Sequence, residues 1–506
     1  MVKIKMLNKK PNLALFGVGL ASFLGCVDFT IVNTALPDIQ SEFSSSLSSL
    51  QWIMNIFVIA LSSMMVTMGR LGDIYSHEKV FYTGVIVFGL SSVAAALSQN
   101  IEVLIIARLI QGLSCAILFT NSGAIISHIF PVEKQGHALG ILFGINGLGL
   151  ALGPFLGGLL VNYMGWRWIF YINIPIITIS VLACLLSIPK TEYKESKGRL
   201  DIPGSILVTF ILACLSILFT QGSAWGWLST HAISLVGFVT FLTIMFFFVE
   251  KRAEDPIVNF KIMRNAQFSS SAIASFTLGA FYSLAFFLMP LYLDNIRHLS
   301  ALDIGFMLLP TTAGVAIISP FVGKAVDRFG CKPIIVLGLG LLAVSAGLQS
   351  QFVADETTPF ILLSFLCMGI GWGCVLSPSM TAAVTSVPQT YTGAAIGNLG
   401  TIQNTGASVG LAIGVALFNS KFMDNISSGL GVSISSAEHS GDIGQLMDML
   451  TQQLSTKPDI IAHIVVSGFM ASYSSAMLLL AAICSLSVLT LLIKMKSTTS
   501  DAIEES

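Results

Sequence analysis

Two stretches of the chain, GRLGDIYSHEK at 69–79 and GKAVDRFGCKP at 323–333, follow the same pattern. Each begins with glycine and a basic residue, has aspartate at its fifth position and carries a lysine near its end. Each also comes directly after a long apolar run. A motif that recurs after two separate apolar runs indicates that the chain contains two related halves.

The composition of the chain predicts a protein that lies in a lipid bilayer. Of its 506 residues 54% are hydrophobic and 10% are charged, whereas a soluble protein of this size needs far more charge on its surface. The net charge is −1 and no basic block is present, so a nucleic-acid partner is not expected. The eight cysteines occur singly, without metal-site or disulfide spacing, and we interpret them as small apolar residues.

A helix needs about 20 apolar residues to cross the bilayer. Fourteen runs of this kind are predicted to be membrane-spanning helices: 13–36, 50–69, 80–98, 103–126, 138–162, 168–189, 201–221, 232–249, 268–293, 302–322, 334–352, 359–380, 393–419 and 466–493. The N-terminus is basic, but the run behind it has full length and no convincing cleavage site. We therefore interpret it as a first span and not as a removed signal.

The distribution of lysine and arginine predicts which side of the membrane each segment faces. With the N-terminal tail inside and a change of side at each span, the inside segments hold 20 of the 25 basic residues and the outside segments hold four. The remaining one, Arg108, falls within a span. This bias favours an even number of spans and cytoplasmic termini. We expect the protein to lie in the inner (plasma) membrane.

The position of the two motifs divides the chain. If 201–249 is an inserted pair of helices, the motifs occupy equivalent places in two six-helix halves. We therefore predict a first half at 1–190, an inserted pair at 191–250 and a second half at 251–506. Such halves are typical of transporters in which one half rocks against the other around a central site. The acidic segment at 420–463 is predicted to be an external loop, either a solvated connector or a surface that binds a partner.

Further motifs occur in a fixed order along the chain: DFTIVNTALP (28–37), LIIARLIQGLSCA (104–116), GLALGPFLGG (149–158) with Gly140 before it, GWRWIFYINIP (165–175) and LDIPGSIL (200–207). Together with the repeated motif they resemble the major facilitator superfamily, and within it the fourteen-helix drug:proton antiporter branch of the EmrB/QacA type. The resemblance covers nearly the whole chain. It implies an all-α integral membrane protein of the major facilitator fold, with two extra helices inserted between two six-helix halves.

Asp28 lies inside an apolar run, where a charge costs on the order of several kcal/mol. A buried carboxylate can bind a proton in one conformation and release it in another, because burial and a nearby cation act on it in opposite directions. The alternative is that Asp28 hydrogen-bonds locally, to Thr30 or Asn33, and fixes a helix end. For Arg108, a structural pairing with helix-end carbonyls is equally open. The resemblance implies that Arg108 and Gln111 act with Asp28 in proton coupling.

The fifth predicted span carries the glycines and the proline that the resemblance identifies as an antiporter motif: Gly149, Gly153, Pro154, Gly157 and Gly158. Glycines four residues apart let helices approach closely in lipid, and a proline inside a helix weakens its hydrogen-bond ladder. These residues therefore predict close packing of the fifth helix against a neighbour. The resemblance adds that this contact seals the pathway and separates antiporters from symporters.

The repeated motif is predicted to gate the cytoplasmic side of the molecule. Its candidate residues are Gly69, Asp73, Gly323, Asp327 and Arg328. Each aspartate can lie opposite a cation or a helix N-terminus and hold that side closed; ordinary charged turns are the alternative. The first copy departs from the family pattern, because Ile74 replaces a usual basic residue and Ser76 replaces the usual glycine. Either the first copy holds the cytoplasmic side closed less strongly, or the second copy contributes to the same closure.

The substrate cavity is poorly marked in the sequence. Its candidates are Asn33, Trp52, Asn55, Asn398, Thr401 and Thr405. A polar stripe on a membrane helix either lines a water-filled cavity or bonds a neighbouring helix, and the two interpretations are equally open.

The sequence thus predicts a proton-driven exporter of lipophilic or amphipathic small molecules, of the multidrug efflux type, and not an enzyme. Its expected partners are the substrate, protons and lipid, and in a Gram-negative bacterium a periplasmic adaptor protein. No nucleotide-binding signature, cofactor or metal site is predicted. A dedicated exporter of a natural metabolite, such as a siderophore or a lipid-like product, is the first alternative. A membrane enzyme or a non-transporting receptor is the second, and the scattered positions of the seven histidines argue against it.

Overall fold

The computed structural model of the chain describes residues 10–45, 47–188, 201–226, 229–253, 265–299, 301–430 and 458–495. Helices and turns account for all the secondary structure of these residues. The first six long helices are α1 (Pro11–Ile31), α2 (Leu47–Tyr75), α3 (His77–Ala96), α4 (Ile101–Ile129), α5 (Gln135–Met164) and α6 (Asn173–Ser187). The next two are α7 (Ile202–Trp225) and α8 (Thr230–Glu250). The last six are α9 (Ala266–Asn295), α10 (Ala301–Phe329), α11 (Cys331–Gln349), α12 (Thr358–Thr385), α13 (Thr392–Leu430) and α14 (Pro458–Lys494).

The fourteen predicted spans are all found as helices, in the predicted order. Thirteen helical segments of the described chain are long and apolar enough to cross a membrane. The remaining one, α7, contributes a shorter apolar stretch at Ile202–Leu218. Short helices at Leu36–Phe43 and Trp168–Tyr171 extend α1 and precede α6.

Several helix starts are set by side chains that bind free backbone N–H groups of the first turn. The side chain of Asn100 accepts from Val103 N at the start of α4, and Asp201 accepts from Gly204 N at the start of α7, both at 2.9 Å. Polar residues at the ends of apolar runs thus fix where the spans begin.

The repeated motif lies at the ends of helices, and part of it is helical although the predicted spans end at residues 69 and 322. The first copy forms the last two turns of α2, a break at Ser76 and the first residues of α3; the second forms the last two turns of α10, a break at Gly330 and the first residues of α11. Both break residues have positive φ, +117° at Ser76 and +79° at Gly330. Both helices continue beyond the predicted spans, because their last turns carry polar residues that an apolar run does not include.

The two six-helix groups pack around separate apolar cores. Most buried apolar residues of α9–α14 form one large cluster, and those of α1–α6 form smaller ones; a further small cluster joins α4 to α9, α12 and α13. The groups meet mainly along two pairs of helices, α2 with α13 and α5 with α10, with smaller contacts of α12 with α5 and of α13 with α4. The inserted helices pack on each other, and α7 also packs on both α2 and α13. Within that contact the hydroxyls of Thr67 and Thr209 lie 3.4 Å apart.

The predicted external loop at 420–463 is partly helical. Helix α13 continues to Leu430 and α14 begins at Pro458. The rest of the predicted loop, together with the linkers around the inserted pair, lies outside the described residues.

Candidate functional site

The carboxylate of Asp28 is fully buried near the end of α1 and is held by side chains of two other helices. Arg108 Nη1, from α4, donates to Oδ2 in a buried ion pair. The amide groups of Gln111, also from α4, and Asn173, at the start of α6, donate to Oδ1 at 3.4 and 3.2 Å. One charged donor and two neutral donors therefore surround this carboxylate.

A hydroxyl from α3 completes this network. Ser92 Oγ accepts from Gln111 Nε2 at 2.9 Å and from Asn173 Nδ2 at 3.1 Å. The side chains of Ser92, Gln111 and Asn173 are all buried. Four helices, α1, α3, α4 and α6, thus meet at Asp28, and a change in the charge of the carboxylate would act on all of them. We call Asp28, Ser92, Arg108, Gln111 and Asn173 the Asp28 network.

Arg108 is the largest fully buried side chain of the described residues. Its Nε donates to the carbonyl of Ile53 at 3.4 Å, and its guanidinium lies 4.2 Å from the centre of the Phe57 ring. Its Nη2 has no hydrogen-bond partner among the described residues. A buried guanidinium with a free donor can accept a new partner without first giving up the old ones.

The local alternative for Asp28 is not the arrangement found. Thr30 Oγ1 lies within 3.4 Å of the carbonyls of Cys26, Val27 and Leu150, and Asn33 Nδ2 donates to the carbonyl of Thr30 at 3.4 Å. Neither side chain bonds the carboxylate. The partners of Asp28 lie 80 residues or more away in the sequence.

The predicted glycine stripe of α5 packs against α1. A Cβ on Gly149 would lie 2.8 Å from the carbonyl oxygen of Phe23, and one on Gly153 would lie 2.9 Å from Cβ of Thr30. A Cβ on Gly157 would come within 2.9 Å of Ile31. Gly158 differs from these, because a Cβ there would meet nothing within 4 Å. Pro154 is exposed on the outer face of the helix.

The first copy of the motif forms a contact between the halves that we call the first latch. The two oxygens of Asp73 accept from the backbone N–H groups of Gly393 and Ala394, both at 2.8 Å. These groups lie in the first turn of α13, where the helix dipole favours a negative charge. His77 Nε2 lies 3.2 Å from Asp73, and Arg70 Nη1 lies 4.0 Å from it.

The second copy forms an equivalent contact, the second latch, with the first turn of α5. Asp327 Oδ1 accepts from Gly136 N at 2.9 Å, and Oδ2 accepts from His137 N at 3.0 Å. Each aspartate therefore binds the N-terminus of a helix from the opposite half. Arg328 is not part of this contact, because its guanidinium is exposed and lies 5.1 Å from the Phe329 ring centre.

Glycine pairs let the helix backbones touch at both latches. A Cβ on Gly69 would meet the carbonyl oxygen of Gly393, and a Cβ on Gly323 would meet that of Gly136. A Cβ on Gly393 would likewise meet the carbonyl oxygen of Gly69. At this end of the molecule the two halves are therefore joined without side chains between the crossing helices.

The cavity candidates divide into two groups. Thr401 is buried between α13 and α2, and its hydroxyl donates to the carbonyl of Ser62 at 3.4 Å, while Thr405 bonds its own helix. Thr401 thus has the helix-packing contact that the sequence left open. The other candidates keep some exposure: Asn33, Trp52, Asn55 and Asn398.

An aromatic cluster in the second half was not singled out from the sequence. The rings of Tyr282 on α9 and Trp372 on α12 are stacked, 5.2 Å apart and 6° from parallel, and the Phe286 ring meets Trp372 edge-on at 5.7 Å. The indole N–H of Trp372 is buried without a hydrogen-bond partner among the described residues. The same is true of Asn146 Oδ1 on α5. Trp372 is one of six tryptophans in a chain with 34 phenylalanines and 19 methionines, so the sequence alone does not indicate such a cluster.

Comparison with known proteins gives matches over most of the chain. A family model described as Major Facilitator Superfamily matches residues 18–411. Multidrug resistance protein Stp of Mycobacterium tuberculosis is 32% identical over 411 residues, which cover 80% of this chain and 76% of that protein. The tetracenomycin C resistance and export protein of Streptomyces glaucescens is 28% identical over 418 residues, which cover 83% and 78%.

A solved structure gives the same result for the fold. The crystal structure of the human organic anion transporter MFSD10 matches 94% of this chain and 100% of its own, with a TM-score of 0.64 and 14% sequence identity. At this level of identity the likeness concerns the arrangement of the helices alone.

Proposed function

Since the chain belongs to the Major Facilitator Superfamily, we propose that it is a proton-driven exporter of lipophilic or amphipathic small molecules. It is a multi-pass membrane protein and a transporter, not an enzyme. The names of the two bacterial relatives favour the export of drug-like compounds. The observation that carries the proton coupling is the buried ion pair of Asp28 and Arg108 inside the Asp28 network.

The chemistry of this network suits reversible proton binding. A proton on Asp28 would remove the negative charge that Arg108 faces, and would reduce their ion pair to an ordinary hydrogen bond. The free Nη2 of Arg108 would then be able to bond a new partner. Because Ser92 and Asn173 tie the carboxylate to α3 and α6, the change would spread to four helices. We propose that this change couples proton binding to the rocking of the halves.

The latches supply the second part of the mechanism. In this conformation both are formed, so the end of the molecule that holds them is closed. That end carries the excess of basic residues, and we propose that it is cytoplasmic. A cycle would then alternate between this state and one in which Asp73 and Asp327 leave the helix N-termini. The three-part division of the chain, the inner-membrane location and a periplasmic adaptor remain predictions.

Flux through reconstituted vesicles tests the proposal. Wild-type protein should export ethidium, a lipophilic monocation, when a pH gradient is imposed, and collapse of the gradient should stop export. Asp28→Asn should abolish this flux while the protein stays folded, because the amide keeps the size but cannot bind a proton. Asp294→Asn, at an exposed helix end, is the matched control and should retain flux. Gradient-driven export by Asp28→Asn at the wild-type rate would disprove the coupling role.

A dedicated exporter of one natural metabolite is the second candidate. It is favoured by the name of the Streptomyces relative, which refers to the export of a single compound. Deletion of the gene, followed by profiling of drug sensitivity and of secreted metabolites, distinguishes the two. A dedicated exporter should change one secreted compound and leave the drug profile unchanged.

A further inference from the structure

A cavity of about 590 Å³ lies at the second latch, where α5 of the first half meets α10 of the second half. Lys134 and His137 line it from the first half, and Lys324 and Asp327 line it from the second. The remaining lining residues are apolar, among them Phe130, except for Asn12. The cavity therefore combines positive charge with apolar surface at the ends of membrane-spanning helices.

The positive charges of this cavity exceed its negative charge among the residues that the structure describes. The side chains of Lys134 and Lys324 are exposed, and neither ammonium group makes a hydrogen bond or an ion pair with another described residue. The one carboxylate of the cavity, Asp327, is already bound by the N–H groups of Gly136 and His137. Two like charges that face one cavity from opposite halves repel each other when the halves are closed.

In the first latch, the position that corresponds to this cavity is filled by side chains. There Arg70 corresponds to Lys324, and Tyr391 corresponds to Lys134, because both latches share the spacing from aspartate and from the helix N-terminus. The guanidinium of Arg70 lies 4.8 Å from the centre of the Tyr391 ring, and Arg70 is buried. A cation and an aromatic ring attract each other and close the space. In the second latch a second cation replaces the ring, and the space stays open.

We propose that the cavity at the second latch binds the phosphate group of an anionic phospholipid, which joins Lys134 of one half to Lys324 of the other. Basic pockets at the ends of spanning helices are suited to such headgroups, and the apolar lining would take the adjoining glycerol and acyl carbons. An anion between the lysines replaces their repulsion with two attractions. Because the lysines belong to different halves, bound lipid favours the closed latch. This site is independent of what the protein exports.

Native mass spectrometry of the purified full chain tests the site, with phosphatidylglycerol and phosphatidylcholine of the same acyl composition as probes. Wild-type protein should retain phosphatidylglycerol in preference to phosphatidylcholine. Lys134→Gln and Lys324→Gln should each weaken this binding about fivefold, and the double variant about thirtyfold. Lys134→Arg and Lys324→Arg should keep it. Because both lysines are exposed, these substitutions leave the packed core unchanged.

Two controls decide between this site and its rivals. Lys332→Gln removes a half-buried lysine at the start of α11, near the same end of the molecule, that does not line the cavity; its Nζ donates to the carbonyl of Leu492 at 3.1 Å. An equal loss in that variant would mean unspecific attraction to the surface and would overturn the proposal. Sensitivity to only one of the two cavity lysines would overturn the bridging role. Displacement of the lipid by millimolar glycerol 3-phosphate or inorganic phosphate would identify a soluble phosphate as the ligand and would overturn it too.

Discussion

The hydroxyl of Thr30 on α1 lies 3.4 Å from the carbonyl oxygen of Leu150 on α5, which has lost its usual helical partner because the residue four positions on is Pro154. Proline has no N–H, so this carbonyl is free to accept a bond from another helix. The hydroxyl also lies within reach of two carbonyls of its own helix. The proline of the antiporter motif thus creates an acceptor at the contact of α1 with α5, while its own ring points outward.

Thr30→Val should lower the free energy of unfolding by about 1 kcal/mol, because it removes the donor and keeps the shape. Thr30→Ser should cost less. The loss should be smaller in a Pro154→Ala background, in which residue 154 regains an N–H for the Leu150 carbonyl. Unfolding in mixed micelles measures the four free energies of this cycle. Equal losses in both backgrounds would contradict the role of the Leu150 carbonyl.

Gly153→Ala should destabilise the contact of α5 with α1 and reduce export, since the new Cβ would meet the side chain of Thr30. Overpacking of this kind costs about 1–3 kcal/mol. Gly158→Ala is the matched control; its Cβ enters open space, so stability should be unchanged or slightly increased. Thermal unfolding and vesicle flux measure both variants. Similar behaviour of the two alanines would show that the spacing of the glycines has no special role.

Ser76→Gly should stabilise the protein by about 1 kcal/mol, because Ser76 has φ of +117°, a region that glycine occupies without strain. In the second copy the equivalent residue is already glycine, so the reverse substitution is made there. Gly330→Ser, at φ +79°, should lower the melting temperature. The two melting temperatures relative to wild type check this prediction, and shifts of the same sign would refute it.

Asp73→Asn and Asp327→Asn should each favour the open state at the latch end. Each change removes a negative charge from a helix N-terminus, an interaction of about 1 kcal/mol, or about fivefold in the ratio of closed to open molecules. Spin labels at the exposed positions Tyr75 and Phe329, one on each half, report the opening as a longer distance. The native Cys214 and Cys367, which are half-buried, are changed to serine for this measurement.

The double variant of Asp73 and Asp327 separates two accounts of the latches. The two carboxylates share no partner, so their free-energy changes should add if the latches act independently. The ratio of closed to open molecules should then fall about 25-fold in the double variant. An effect of Asp73→Asn as large as that of the double variant would mean that the first latch alone holds this end closed.

Dications should be exported less well than neutral, anionic or monocationic lipophilic compounds. A buried cation needs a carboxylate partner. The buried carboxylates of the described spanning helices are Asp28, Asp73 and Glu250. Arg108 already holds Asp28, the first turn of α13 holds Asp73, and Glu250 is the last residue of α8. Resistance conferred on an efflux-deficient host to a dicationic antiseptic and to a weakly acidic uncoupler measures the preference. Stronger protection against the dication would reverse this prediction and would point to a helix-end acid such as Asp303.

The number and order of the spans could be predicted because the bilayer imposes a length on every apolar run. The helix ends could not, since the turns that carry Asp73 and Asp327 are polar and extend beyond the apolar part. The repeat of the motif predicted two equivalent contacts. Their partners, the first turns of α13 and α5, have no recognisable side-chain pattern, because backbone N–H groups make the bonds.

The Asp28 network shows a similar limit. Asp28 and Arg108 were recognisable because charges are rare in membrane spans, and Gln111 came from the resemblance. Asn173 and Ser92 were missed, since a single amide or hydroxyl in a helix is common and satisfies its bonds in many ways. Their role depends on contacts between α1, α3 and α6 that only the folded chain displays.

The position of α7 makes the two sides of the molecule unequal. This helix packs on α2 and α13, which belong to opposite halves, whereas the inserted helices do not pack across the matching pair, α5 and α10. Any movement that parts α2 from α13 must therefore either break one face of α7 or carry α7 along with one half. The repeated motif forms equivalent contacts in both halves, but the motion around them cannot be equivalent. Separation of α5 from α10 moves no inserted helix, whereas separation of α2 from α13 also displaces α7.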